Sequence, residues 1–255
     1  MDGPWLNTEL YSSTQLFFYL GGFFLWGAAY VVIIRNILRD RFVEVPIIAV
    51  CGNITWEFLW GFYFENDMGR LLTLFYIGGA LLDTFILYSL FRYGYKQVST
   101  EAVRAVLKPL IVLSLFSWTL LYLGFKNSGY DLPLGSNSAY IVNVVMSVLY
   151  MLFALHFAKI ELFSITAGWL KGIGTAMIAV FVYITYTDNP FVQSIAIVCS
   201  VIDAIYMVVL YRRQRALKAT GGVSYFDLDT GQPRMTQNES ATDTASTEDI
   251  ANTKS

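Results

Sequence analysis

The chain has 255 residues, of which 56% are hydrophobic and only 14% charged, with a formal net charge of -2. A soluble domain carries about 25% charged residues, so this chain lacks the charge to cover a water-facing surface, and no nucleic-acid partner is expected. Cys51 and Cys199 both lie in apolar runs and form neither a disulfide framework nor a metal pattern. With His156 as the single histidine, no metal centre of the usual nitrogen and sulfur ligands is expected.

The first segment, Met1 to Tyr11, carries Asp2 and Glu9 and no basic residue. It lacks the positive region of a cleavable signal, so the first apolar run reads as a retained membrane helix. A spanning helix needs roughly 20 mostly apolar residues. Seven runs meet that need, at about 16–34, 45–64, 71–91, 107–125, 138–157, 170–187 and 190–210. They are too long for strands and do not alternate, and satisfying the backbone in lipid favours a helical bundle. The fold class is all-α, a polytopic membrane protein of seven transmembrane helices.

Basic residues set the orientation. Arg35, Arg39 and Arg41 follow run 1; Arg92, Lys96, Arg104 and Lys108 lie between runs 3 and 4. Lys159 and Lys171 lie between runs 5 and 6, and Arg212, Arg213, Arg215 and Lys218 follow run 7. The opposite loops hold only Arg70 and Lys126. The positive-inside rule places the N-terminus outside and the C-terminus in the cytosol. Lys171, at the start of run 6, is expected to snorkel to the cytosolic surface. Residues 1–218 form the membrane domain. Residues 219–255, rich in Thr, Ser, Asn, Asp and Gly, read as a disordered cytosolic tail.

Three acids sit inside the runs: Glu57, Asp83 and Asp203. Ionised at mid-membrane, each would cost on the order of 2.5–3.5 kcal/mol. No Lys or Arg is expected at matching depth. The acids therefore face a cavity or are held neutral by desolvation and by one another. Run 2 is the densest. At 3.6 residues per turn Asn53, Glu57, Trp60 and Phe64 share a face, with Trp56 beside them. The amide can fix the carboxyl rotamer, and the rings can stabilise a cation in a dry pocket. On run 7, Asp203 shares its face with Tyr206 and Cys199. Asp83 shares its face with Tyr76, Gly79 and Leu87, as a third site member or as a packing hydrogen bond. Asn143 reads as interhelical glue and His156 as an interfacial histidine. The pairs Gly21-Gly22 and Gly78-Gly79 read as close helix packing. Asp83 with Arg92, and Asp203 with Arg212, form a nine-residue echo that suggests parallel repeats of helices 1–3 and 5–7 joined by helix 4.

The stretch Cys51-Gly52-Asn53-Ile54-Thr55-Trp56-Glu57-Phe58 resembles the helix-2 motif, roughly C-x-N-I-x-W-E, of the small integral membrane terpene cyclases of fungal meroterpenoid and indole-diterpene pathways. Asp203, followed by Tyr206, Tyr211 and Arg212-Arg213-Gln214, resembles the helix-7 end of the same family. The outer loop Glu65-Asn66-Asp67 and the polar tail do not belong to that pattern. The resemblance implies proton-initiated cyclisation of a prenylated, often terminal-epoxide, substrate in secondary metabolism, with no cofactor. It implies Glu57 and Asp203 as the essential acids. Asn53, Trp56, Trp60, Asp83 and Tyr206 are expected to bind the substrate. The expected partners are that lipophilic substrate, the lipid bilayer and neighbouring enzymes of the same pathway, in the endoplasmic reticulum of a eukaryotic cell. The alternative is a small-molecule or proton-coupled transporter of three-plus-one-plus-three helices, in which buried carboxylates act as relays.

Overall fold

The computed structural model describes residues 4–98, 100–157 and 159–219. The tail expected beyond 219 lies outside them. Seven α-helices follow in order: α1 Ser13–Asp40, α2 Ile47–Phe62, α3 Arg70–Tyr93, α4 Glu101–Asn127, α5 Ser136–His156, α6 Ile165–Thr185 and α7 Pro190–Ala219. No strand occurs among the described residues. Six of the helices are long and apolar enough to cross a membrane; α2, with 16 residues, is the short one.

Consecutive helices alternate in direction, with six reversals along the chain. At the basic end, Arg41 donates to the Tyr93 hydroxyl at 2.6 Å, and Arg213 donates to the Phe157 carbonyl at 3.1 Å. These bonds gather the ends of α1, α3, α5 and α7. At the opposite end the Tyr11 hydroxyl donates to Asp67 at 2.6 Å, and Gln15 donates to Thr185 at 3.0 Å. The acidic outer loop is thus tied to the segment ahead of α1. Ser12 and Gln15 cap α1 reciprocally, with Gln15 Oε1 accepting from the Ser12 N–H at 2.8 Å.

Packing follows a pseudo-twofold pattern. α1 lies on α6 as α5 lies on α2; α2 lies on α3 as α6 lies on α7; α1 meets α3 as α5 meets α7. α4 packs on α2 alone among the principal pairs and joins the two triplets. This is the three-plus-one-plus-three arrangement that the Asp83/Asp203 echo suggests. Small residues set the α1–α6 distance: a Cβ on Gly22 would lie 2.8 Å from the Gly174 carbonyl oxygen.

One expectation is overturned. Lys171 does not reach the cytosolic surface. It is 6% exposed, and its Nζ lies 2.6 and 2.7 Å from the two Asp203 oxygens and 2.9 Å from Ser147 Oγ. α6 begins at Ile165, six residues earlier than Lys171, so the lysine enters the bundle instead of ending it. A cation therefore does lie at mid-membrane depth, and it joins α5, α6 and α7. His156 is exposed, as expected, with Nδ1 at 2.8 Å from the Leu152 carbonyl. Asn143 bridges α5 to Thr175 of α6 at 3.4 Å.

Glu44, in the loop between α1 and α2, is 3% exposed and accepts from the Ser164 N–H at 2.8 Å. It ties that loop to the start of α6. Burial pushes its carboxyl up to about 7, with the Ser164 amide pulling the other way. A raised folded-state pKa means that the folded protein holds the proton longer than the unfolded chain. Stability should therefore fall as pH rises from 4.5 to about 7. The loss is about 3 kcal/mol at 1.36 kcal/mol per unit. Denaturation midpoints measured across that range should show the slope in the parent and lose most of it in Glu44→Gln. Lys171→Met should cost about 3–5 kcal/mol by stranding Asp203, and Lys171→Met/Asp203→Leu should recover most of that loss in thermal melts.

Candidate active site

α2 presents Asn53, Trp56 and Glu57 at i, i+3 and i+4, one face of the helix. All three line a cavity of about 450 Å³ formed by α1, α2, α3, α5 and α6. Its walls are aromatic, from Tyr19, Phe23, Trp26, Tyr30, Phe75 and Tyr140. The loop residues ahead of α5 roof it through Leu134, which is fully buried.

Glu57 is 8% exposed. Its Oε1 accepts from the Tyr30 hydroxyl at 3.1 Å, and its Oε2 is buried with no hydrogen-bond partner. Gly79 makes room for that oxygen: a Cβ there would lie 2.5 Å from Oε2. Of the pair Gly78-Gly79, only Gly79 serves the close α2–α3 approach expected of it. Gly79 opens space for the carboxyl, and a Cβ on Gly78 would meet nothing within 4 Å. Asn53 Nδ2 donates to the Tyr30 hydroxyl and, at 2.8 Å, to Asp83 Oδ2. One amide thus joins the two carboxyls of α2 and α3, with Tyr30 of α1 between it and Glu57.

Trp56 is held from the roof. Its Nε1 donates to Ser138 Oγ at 2.8 Å, and that hydroxyl in turn donates to Asp131. Asp131 also accepts from the Asn137 and Ser138 amides at 3.1 and 3.2 Å, capping the first turn of α5. Trp56 meets Tyr76 edge-on, with centroids 5.0 Å apart at 87°.

The structure separates other expected members. Trp60 is 1% exposed but does not line the cavity. It sits one turn further along α2, beneath Gly135 and under the Lys126 ammonium, 4.6 Å from its ring. Asp203 lines neither this cavity nor its neighbour, because both its oxygens are engaged by Lys171. Tyr206 instead lines a second, small cavity of about 30 Å³ towards the basic end, with Glu44, Asp83, Tyr150 and Lys171. Its ring lies 5.5 Å from that of Tyr150. Tyr30 and Asn53 line both cavities and form the partition between them. Thus Asp83, not Asp203, is the carboxyl bonded into the Glu57 cluster.

Tyr30 and Ser138 had not been singled out in the sequence. Tyr30 is one of 17 tyrosines, on a helix with no other feature. Only its spatial meeting with Asn53 distinguishes it. No group of three or more metal-ligating side chains occurs among the described residues.

The Pyr4-like transmembrane terpene cyclases match residues 6–216 of this chain. Individual relatives share less. The Pyr4-family terpene cyclase mfmH of Annulohypoxylon moriforme is 31% identical over 72 residues, 28% of this chain and 29% of that protein. Terpene cyclase macJ of Penicillium terrestre is 29% identical over 76 residues, 29% of each chain. Terpene cyclase spyD of Aspergillus fumigatus is 33% identical over 89 residues, 34% of this chain and 37% of that protein. The aligned stretches thus span between 29% and 37% of the length of these relatives. No solved structure was found to match the chain. The family match runs from just ahead of α1 into the last turn of α7, and on that extent the chain belongs to the Pyr4-like transmembrane terpene cyclases.

Proposed function

We propose that this chain cyclises a prenylated substrate by protonating its terminal epoxide, with Glu57 as the proton donor. The observation that carries the reading is the unpartnered Glu57 Oε2 in an aromatic-walled cavity. A carboxyl in an apolar pocket, close to a second carboxyl, stays neutral and can act as an acid. Proton transfer from Oε2 to the epoxide oxygen opens its C–O bond as the nearest alkene attacks the carbon. The carboxylate left behind is stabilised at Oε1 by the Tyr30 hydroxyl, which Asn53 polarises. The rings of Trp26, Trp56 and Phe75 line the chamber, where aromatic rings can stabilise a migrating cation. Loss of a proton from the last cation forms an alkene and returns the proton, so product and substrate are isomers. The chemistry needs no electron donor or acceptor.

In this reading Asp83 holds Asn53 in place, and Asp203 acts through Lys171 as a support of the α6–α7 pair. The substrate partners with the bilayer before reaching the site. The expected membrane in a eukaryotic cell is the endoplasmic reticulum, shared with enzymes of the same pathway.

The pseudo-twofold arrangement favours a second reading, a carrier, since parallel repeats build transporters. The triplets are not equivalent in chemistry, however. One holds a free acid in a large cavity; the other holds an acid locked by a lysine. Flux of a prenylated solute across liposomes containing the protein, without isomerisation, would select the carrier.

Three variants test the cyclase. Glu57→Gln should lower conversion of an epoxidised farnesyl arene by 10²–10⁴-fold, with unchanged elution and melting. Unimpaired turnover in this folded variant would remove Glu57 as donor. Asp83→Asn should lower the same rate by freeing Asn53 to rotate away from Tyr30. Lys171→Met/Asp203→Leu, once folded, should still cyclise; its inactivity would return Asp203 to the chemistry.

A further inference from the structure

The wall of the main cavity between α1 and α3 is incomplete. Two faces of α3 show this. Leu74, Leu81 and Tyr88 recur every seven residues and are 52%, 66% and 56% exposed, forming the outward stripe of the helix. Leu74 and Leu81 nevertheless line the same cavity as buried Glu57. A residue on the lipid stripe can line an internal chamber only where that chamber reaches the lipid.

Gly78 sits between those two leucines, four residues after one and three before the other, and it too lines the cavity. Gly27 of α1 lines it from the other side. A Cβ on either glycine would meet no atom within 4 Å. Most other helical glycines of the bundle differ: Gly22, Gly52, Gly79, Gly168 and Gly174 would each bring a Cβ within 3 Å of a neighbour. Gly27 lies near the middle of the 28-residue α1, at a depth occupied by acyl chains. The adjoining Gly79 faces the unpartnered Glu57 Oε2. A chain entering beside Gly78 therefore arrives next to the acid.

We propose that the gap between α1 and α3 at Gly27 and Gly78 is a lateral portal through which a polyprenyl chain enters the cavity directly from the bilayer. The proposal rests on the cavity taking a prenyl chain, as the preceding reading holds. The occupant follows from the surroundings. This side of the cavity is apolar, lined by Phe23, Leu74, Leu81 and Leu82 with the two glycines. It opens where water is absent. Only a chain already dissolved among lipid tails meets such an opening, and its terminus is led in first while a polar head stays at the interface.

Uptake can be followed apart from catalysis. The protein is placed in lipid nanodiscs with a farnesyl chain ending in a benzophenone, which labels on illumination and cannot cyclise. The wild type should give adducts on cavity residues; their absence would overturn the portal. Gly78→Trp should slow labelling at least tenfold, and an unchanged rate in this folded variant would also overturn it. If the indole prevents folding, Gly78→Cys is used instead. Its thiol is modified in the disc with a bulky apolar methanethiosulfonate. Labelling should fall and then recover on reduction. Cys51 and Cys199, both fully buried, make the treated wild type the control. Failure of the bilayer-borne reagent to reach Cys at position 78 would sink the proposal. Uptake without cyclisation of the matching epoxide would remove the proposed activity and leave the portal standing. Cyclisation at equal rate with the thiol blocked would do the reverse.

Discussion

Lipid offers no hydrogen bonds, so every polar side chain kept in the hydrocarbon must find its partner on another helix or face a cavity. This bundle uses both solutions. Asp203 is matched by Lys171 at 2.6 Å, and Asp83 by Asn53 at 2.8 Å. Glu57 is only half matched: one oxygen is bonded to Tyr30 and the other faces the chamber. The rest of the architecture follows from that asymmetry. Aromatic rings surround the bare oxygen, a glycine gives it room, and the bonds of Asp83 to Asn53 and of Asp203 to Lys171 hold the neighbouring helices in register. Removing a partner from a paired acid leaves a buried charge, whereas the unpaired oxygen is tolerated because a neutral carboxyl carries a smaller desolvation cost.

The two triplets show how one scaffold can carry unequal chemistry. Asn53 stands six residues into α2, and Lys171 stands six residues into α6. Asp83 and Asp203 each stand thirteen residues into their helices. In both halves the acid of the third helix bonds to that same position of the second. A neutral amide in one half shares its two N–H groups between the Tyr30 hydroxyl and Asp83, so it links them. An ammonium in the other half neutralises its acid outright, so it clamps.

Much of the fold is legible in the sequence, because spans follow from apolar length and orientation from charge. The face of α2 is legible in part. Asn53 and Glu57 share a side at helical spacing, and both line the chamber. Trp60 satisfies the same spacing yet packs elsewhere, because helix periodicity fixes an angle and not what lies opposite it. Hydropathy starts run 6 at about 170, which sets Lys171 at its end and apart from Asp203. The helix begins five residues earlier, at Ile165, so Lys171 lies within it. Tyr30 and the empty side of Gly78 depend on which helices meet, and a single sequence does not carry that information.

The shortness of α2 bears on how the bilayer meets the protein. Its 16 residues rise about 24 Å at 1.5 Å each, against about 30 Å for a typical hydrocarbon core. Ile48, Phe58 and Phe62 on its outer side are exposed, so lipid must shorten to meet it. Each ångström of mismatch costs a fraction of a kcal/mol. The helix that carries the acid is thus the one along which the bilayer adapts to the protein, while the six longer helices reach across it unaided.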